Sequence, residues 1–462
     1  MFKDRILSRD IKHVKQWATT GHHRWWQEFK GYDGGLVTPA FAVAADGTLI
    51  SEPVQAMAML ESEAARVYAE AAEGPSTWTG KKLQWWKRFS APKNGIDPSV
   101  WKDFNSRIDN SEMLRAMNSI TCKTAGRSGI TVNLLRKSSN KTLAMLLQYF
   151  NACIAESKCC SKALHCIQVH LQKDGYVAGL DKTRPIGISE ALHMVLEKVI
   201  TQRLSKILHE HKILNPMQSG FVRDGGAVDT CFIIKDLQEN AKRHGQHLHM
   251  LSTDIKGAFN APQWWAIEAA CRRLGMPEPM VQLLLQSVEG TTTFMLTGLK
   301  DKFSPGFKVG AGTIQGRGIS PPLWNVFFDM VLSDVDSCSE KWGYNYRRTI
   351  CDSDGNNQDF RLAGEALADD LTLLAQSKKG IRMLFTRFEK AMHYLLVPIS
   401  EPKTIYMNAS SKKSTAIPAG RRHTGRDRSQ INCEGRRSVY QHSKQHKHPE
   451  RSSAQKAKGT LG

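Results

Sequence analysis

Residues 365–375 read EALADDLTLLA, so two adjacent carboxylates, Asp369 and Asp370, sit inside an apolar run. Adjacent charges are costly to bury unless something pairs them. A hairpin resolves the conflict: two short strands with Ala368-Asp369-Asp370 at the turn. The carboxylates then stand at the edge of a sheet, ready to hold a cation. An exposed turn with two solvated aspartates has the same local pattern, and this stretch alone leaves both readings open.

Residues 251–260, LSTDIKGAFN, narrow the choice. The segment 248–251 predicts a short strand leading into Asp254, followed by a glycine-containing turn and an aromatic. A lone aspartate at a strand end is usually a cap or turn former. Beside Asp369 and Asp370 it completes a device. Phosphoryl transfer in polymerases needs two divalent ions roughly 3.5–4 Å apart. Hard cations such as Mg²⁺ want carboxylate oxygens, and two or three aspartates from neighbouring strands supply them.

Around these pieces runs an ordered series of motifs. LQKDG (171–175) and TRPIGI (183–188) come first, then NPMQSGFVRDGGAVDT (215–230) and STDIKGAFN (252–260). GTIQGRGISPPLWNVFF (312–328), LADD (367–370) and PKTIYM (402–407) follow. From about residue 120 to 407 the chain resembles the reverse transcriptases of non-LTR (LINE-type) retrotransposons. The resemblance implies an α+β fold, the fingers and palm of a right-hand polymerase. Its small antiparallel palm sheet would be backed by helices, with a helical N-terminal extension. It implies an RNA-directed DNA polymerase, a nucleotidyltransferase using two Mg²⁺ ions, with Mn²⁺ as a substitute. RNA template, DNA primer and deoxynucleoside triphosphates would be its partners.

Roles follow residue by residue from the resemblance. Asp254 and Asp369 would be metal ligands, with Asp370 a third, less direct carboxylate. Lys173 and Arg184 would meet the triphosphate, the planar guanidinium holding phosphate oxygens bidentately. Phe259 would be a steric gate against a ribose 2′-hydroxyl. Gln315, Gly316 and Ser320 would line the nascent pair, Gly316 letting backbone approach closely. Lys403 would sit near the leaving pyrophosphate as its general acid.

The chain departs from the family at Leu367, where an aromatic is usual, at Asn260, where Asp is common, and in the loose AGRSGI (125–130). Past the lysine motif neither a primer grip nor a helical thumb is recognisable, and no endonuclease-like segment precedes the motifs. The expectation is therefore a fragment or decayed copy of a larger element protein. Beside an active polymerase stands the reading of an inactive, nucleic-acid-binding remnant. A group II intron-type maturase ranks below both, because nothing resembles a maturase region.

The rest of the chain agrees with a nucleic-acid partner. Its 462 residues carry a net charge of +20, and such a surplus favours a polyanion over a membrane. No apolar run approaches a membrane-spanning length. Ten cysteines are scattered without a compact framework, which fits reduced thiols inside a cell. Cys153, Cys159, Cys160 and Cys166, near His165 and His170, match no zinc spacing and read as helix and core residues.

Four segments are expected: a helical extension or linker over 1–110, fingers over 111–250, largely helical, palm over 251–407, and a disordered tail over 408–462. The tail holds 13 Lys or Arg against 3 Asp or Glu and is too polar to bury a core. In the extension, 51–71 predicts one amphipathic helix starting at Ser51-Glu52. Trp25-Trp26 and Trp85-Trp86 read as helix anchors more readily than as base-stacking platforms. FAVAADGTLISEP (41–53) is similar to the linker before LINE-type polymerases. An element protein of this kind would be intracellular with access to the nucleus.

Overall fold

The helix over 51–71 is shorter than its pattern: α1 spans Pro53–Val67. Glu52 caps it, its carboxylate accepting from the Val54 and Gln55 N–H groups at 3.2 and 2.6 Å, and Pro53 opens it without wasting a donor. The strands β1 (Ala42–Val43) and β2 (Leu49–Ile50) pair antiparallel ahead of it. The structure is a computed structural model that describes residues 42–43, 48–50, 52–69, 71, 73–172, 183–223, 225–296, 303–347, 359–409 and 417–418. All of them lie in Met1–Gly420, one of the two units into which the chain divides. Trp25-Trp26 and nearly all of the basic tail lie outside the described residues.

Helix α2 (Gly80–Phe89) puts Trp85 and Phe89 into the main core. The Trp85 indole N–H donates to Asp334 at 2.6 Å, so this tryptophan anchors a helix. Next come α3 (Asn110–Ser119), α4 (Val132–Arg136) and α5 (Asn140–Glu156), each capped by an Asp, Thr or Ser side chain. Cys153, Cys159 and Cys166 are buried, and Cys160 is exposed.

Residues 111–250 were expected to be largely helical, and two strands correct that. β3 (His165–Gln172) and β4 (Thr183–Ser189) form an antiparallel pair before α6 (Ala191–Glu210) and α7 (Ala227–Arg243). From Cys166 to Val169 successive side chains are all buried. A strand covered on both faces shows no alternation, and a short apolar run then reads equally as helix. Polar Gln168 is wholly buried there, and its side chain meets the His170 ring at 2.8 Å.

β5 (His249–Thr253) is followed by α8 (Trp264–Arg273), α9 (Glu278–Glu289), β6 (Thr292–Met295) and β7 (Phe307–Lys308). The order β4-β3-β6-β7 makes a four-stranded sheet in which β6 joins β3 in parallel. Then come α10 (Ser320–Asp336), α11 (Ser339–Trp342), β8 (Tyr344–Tyr346), β9 (Phe360–Leu362), β10 (Gly364–Leu367), β11 (Asp370–Ala375), α12 (Lys378–Tyr394), β12 (Ile405–Asn408) and β13 (Ile417–Pro418). Five of these strands form the antiparallel sheet β10-β11-β5-β12-β13. Leu251, Ala366, Leu371 and Leu373 share one core with Phe327 and Phe328 of α10 and with Leu384 and Phe388 of α12. The small antiparallel palm sheet backed by helices is thus present.

Helix α10 is buried almost all round, including two aspartates that must be neutralised. Asp329 takes Lys93 at 2.9 Å, Arg273, and the Asn215 N–H at 2.6 Å. Asp334 takes Arg387 beside Trp85. These pairs tie the N-terminal segment, the 215 region and α12 to one central rod. Among the described residues no helix is long and apolar enough to cross a membrane.

Candidate active site

The hairpin expected from EALADDLTLLA is there. Leu367 pairs with Asp370 across β10 and β11, so Ala368 and Asp369 make a two-residue turn. Such turns need positive φ, and Ala368 adopts φ +61°, a conformation that costs a non-glycine residue about 1–3 kcal/mol. On the other side of β11, Leu371 pairs with Thr253 of β5. β5 in turn pairs Ser252 with Ile405 of β12. Carried on toward the same end of the sheet, these registers set Asp370, Asp254 and Lys403 in a row on neighbouring chain segments.

The row is real at atomic distance for one pair: Lys403 Nζ lies 3.1 and 3.3 Å from the two Asp254 oxygens. The backbone behind Asp254 is fixed, because its carbonyl accepts from the Ser400 N–H at 2.7 Å. Burial raises the Asp369 pKa, and the neighbouring Asp370 and Asp254 charges add to the rise while Lys403 opposes it. Asp370 is raised for the same reasons, burial first and Asp254 second. Like charges held together at a sheet edge demand a cation, and one exposed lysine answers only part of that demand.

Among the described residues no three His, Cys, Asp or Glu side chains are gathered closely enough to enclose an ion. The cluster is instead an open edge of carboxylate oxygens. That donor set suits a hard divalent ion that keeps water and phosphate as its other ligands.

A second group forms beside it. The Gly187 N–H of β4 donates to the Gln315 carbonyl at 2.7 Å. Gly316 has φ +100°, and a Cβ there would come within 2.9 Å of Ile186. The strand TRPIGI and the loop IQGRG therefore touch backbone to backbone. Arg184 is exposed on that strand. The Thr313 N–H donates to the Phe259 carbonyl at 2.6 Å, and the half-buried Phe259 ring lies between Phe221 and Trp324. Ser320 is buried, and its hydroxyl donates to the Ile314 carbonyl at 2.8 Å. Lys173 lies outside the described residues.

The structure also adds residues that sequence reasoning missed. Arg317, buried, bonds Glu197 at 2.5 Å, Thr291 at 2.9 Å and the Ser287 carbonyl at 2.8 Å, which pins the Gln315–Gly316 loop to α6 and α9. Burial alone would raise Glu197, but Arg317 and His193 outweigh it and hold the carboxyl at about 2. On the palm side, Gln218 and Gly220 abut the Ala368-Asp369 turn, and Asn325 of α10 abuts Gly220. The quoted motifs contain these residues, but only a fold shows what they touch.

Residues 171–435 match the family model described as reverse transcriptase (RNA-dependent DNA polymerase). The match runs past the lysine motif into the basic segment. The chain is 26% identical over 253 residues to the "Retrovirus-related Pol polyprotein from type-1 retrotransposable element R2" of Popillia japonica, covering 54% of this chain and 32% of that protein. It is 24% identical over 217 residues to the type-2 R2DM Pol polyprotein of Drosophila melanogaster, covering 46% and 18%. The chain thus spans about a third or less of these relatives. Apo telomerase of Candida tropicalis, truncated from its C-terminal domain, superposes over 63% of each chain with a TM-score of 0.41 and 11% identity, a likeness too loose to carry an argument.

Proposed function

The chain belongs to the reverse transcriptase (RNA-dependent DNA polymerase) family, and we propose that it extends a DNA primer on an RNA template for a LINE-type retrotransposon. One observation carries the reading. Asp370, Asp254 and Lys403 share one end of three neighbouring palm segments, and Asp369 stands in the turn beside them.

In this reading Asp254 and Asp369 would hold two Mg²⁺ ions, with Asp370 less direct and Mn²⁺ able to substitute. Bound there, such ions would supply activation of the 3′-hydroxyl and stabilisation of charge on phosphorus and leaving group. The protein's own residues do the rest. Arg184, with Lys173, grips the triphosphate of a deoxynucleotide. Phe259, wedged against Trp324, bars a ribose 2′-hydroxyl. Gln315 and Gly316 line the nascent pair, and Ser320 holds their loop. Lys403 leaves Asp254 to give its proton to the departing pyrophosphate. Residues 111–250 serve as fingers, 251–407 as palm, and 1–110 as the extension. The protein acts inside the cell, with access to the nucleus, which imaging of a tagged chain would test.

Primer extension tests the proposal, using an RNA template, deoxynucleotides and Mg²⁺. Extension is expected from the chain and not from its Asp369→Ala form. Well-folded protein that binds RNA equally in both forms but never extends would replace this reading with that of a non-catalytic remnant.

A further inference from the structure

The turn that carries Asp369 is strained and exposed to slippage on its own. Ala368 sits at φ +61° without being glycine, and the two residues of a hairpin loop have few internal bonds to hold them. The bonds come from outside. Gln218 Oε1 accepts from the Ala368 N–H at 2.9 Å, and Gln218 Nε2 donates to the Ala368 carbonyl at 3.1 Å. One side-chain amide thus grips both backbone groups of the residue before Asp369. The same Oε1 accepts from the Gly220 N–H at 2.8 Å. Gln218 is 6% exposed, so water does not compete for these bonds.

The clamp is itself held. The Ala366 N–H donates to the Met217 carbonyl at 2.7 Å, and the Ser219 N–H to the Ala366 carbonyl at 2.8 Å. Residues 217–219 therefore run along β10 like an added strand, bridged in parallel at Gln218 and Ala366. A Cβ on Gly220 would lie 2.0 Å from the Ala368 nitrogen, so only glycine lets the segment come this close. On its far side the Gly220 carbonyl accepts from Asn325 Nδ2 of α10 at 2.9 Å. Asn325 lies five residues after Ser320, on the helix that begins at the nucleotide loop. A continuous set of bonds leads from that helix through Gly220 and Gln218 to the turn.

We propose that Gln218 is a positioning residue that fixes Asp369 for cation binding, with Gly220 and Asn325 transmitting the restraint from α10. The inference rests on the reading of Asp369 as a metal ligand. Without the clamp, Ala368 relaxes toward ordinary negative φ and turns the carboxylate away from Asp254. Partners behind a metal ligand are worth about 10–100-fold in affinity or rate when removed.

The test compares the full chain with Gln218→Met, which keeps the volume and loses all three hydrogen bonds. Amide exchange of peptides spanning 364–371 is expected to quicken by about tenfold or more, with α12 peptides unchanged. Direct Mn²⁺ binding, followed by paramagnetic resonance, is expected to weaken by about 10–100-fold. The kcat for single-nucleotide addition should fall comparably, with KM for the nucleotide and affinity for the primer–template held within about twofold. Asn325→Ala, which leaves Gln218 in place, should move the same readouts the same way by a smaller factor, and serves if Gln218→Met does not fold.

Unchanged exchange, Mn²⁺ affinity and kcat in a folded variant would overturn the inference while leaving the polymerase reading intact. A parent chain that never extends primers, yet loses Mn²⁺ affinity with the substitution, would sink the polymerase reading and sustain the positioning role. Loss of melting temperature with no change in Mn²⁺ affinity would reduce Gln218 to a structural residue.

Discussion

Two sets of aspartates in this protein receive opposite treatment. Asp329 and Asp334 are buried in α10 and neutralised in place by Lys93, Arg273 and Arg387. Asp254, Asp369 and Asp370 stand together at the sheet edge, and among the described residues Asp254 is paired by one lysine that is 67% exposed. The first set gives each acid a fixed cation because an unpaired buried charge would unfold the core. The second set keeps like charges close, with an exposed lysine paired to one of them. On the proposed function, the contrast separates acids that hold the fold from acids that work on a substrate.

Breaking the first set should cost most. Asp329→Ala leaves Lys93 and Arg273 facing each other and is expected to destabilise by about 3–5 kcal/mol, read by denaturant melts. A loss under about 1 kcal/mol would erase the distinction between the two sets. Glu365 sharpens it from a third position. This buried acid on β10 meets the Ser219 hydroxyl, and burial pushes its pKa up to about 7, with the Ser219 and Thr230 side chains opposing the rise. Its folded value lies above its unfolded one. The stability it contributes is therefore full below about pH 4.5 and lost as pH rises through 7, an effect of about 1–3 kcal/mol. Glu365→Gln should remove that loss, so its advantage in melting temperature should appear at pH 8 and vanish at pH 4.

The sheet-edge acids should respond as Glu365 does and opposite to Asp329. Asp369 is raised by burial and by its acidic neighbours, so its charge opposes folding at neutral pH. Asp369→Asn is expected to stabilise the protein by about 1 kcal/mol at pH 7 and not at all near pH 3. A destabilisation at pH 7 would place Asp369 with the structural acids. Lys403→Ala should matter least for stability, within about 1 kcal/mol, since exposed pairs are worth little. Its effect should appear instead as a slower nucleotide addition, by about tenfold to a hundredfold.

How much of this was legible in the sequence follows the same division. Two adjacent aspartates in an apolar run pointed to a turn, and EALADDLTLLA left open whether it was a hairpin at a sheet edge or an exposed turn; the hairpin is what forms. The strand before Asp254 was plain. The resemblance implied a close backbone approach at Gly316, and the Gln315 carbonyl beside it accepts from the Gly187 N–H. The pairing of β3 with β4 was not legible, because burial on both faces removes the alternation that marks a strand. Arg317 and Gln218 were illegible for another reason. Each has a partner more than a hundred residues away, and nothing local distinguishes a clamp from a solvated side chain. Ser320 was placed in the right motif, but only the fold shows its hydroxyl spent on Ile314.

The most direct test of the central claim is single-nucleotide addition on an RNA template by the chain and by Asp254→Asn, at matched folded concentration. The substitution is expected to lower the rate by about a thousandfold or more while melting temperature and RNA–DNA binding hold. Equal rates from the two proteins would contradict the claim.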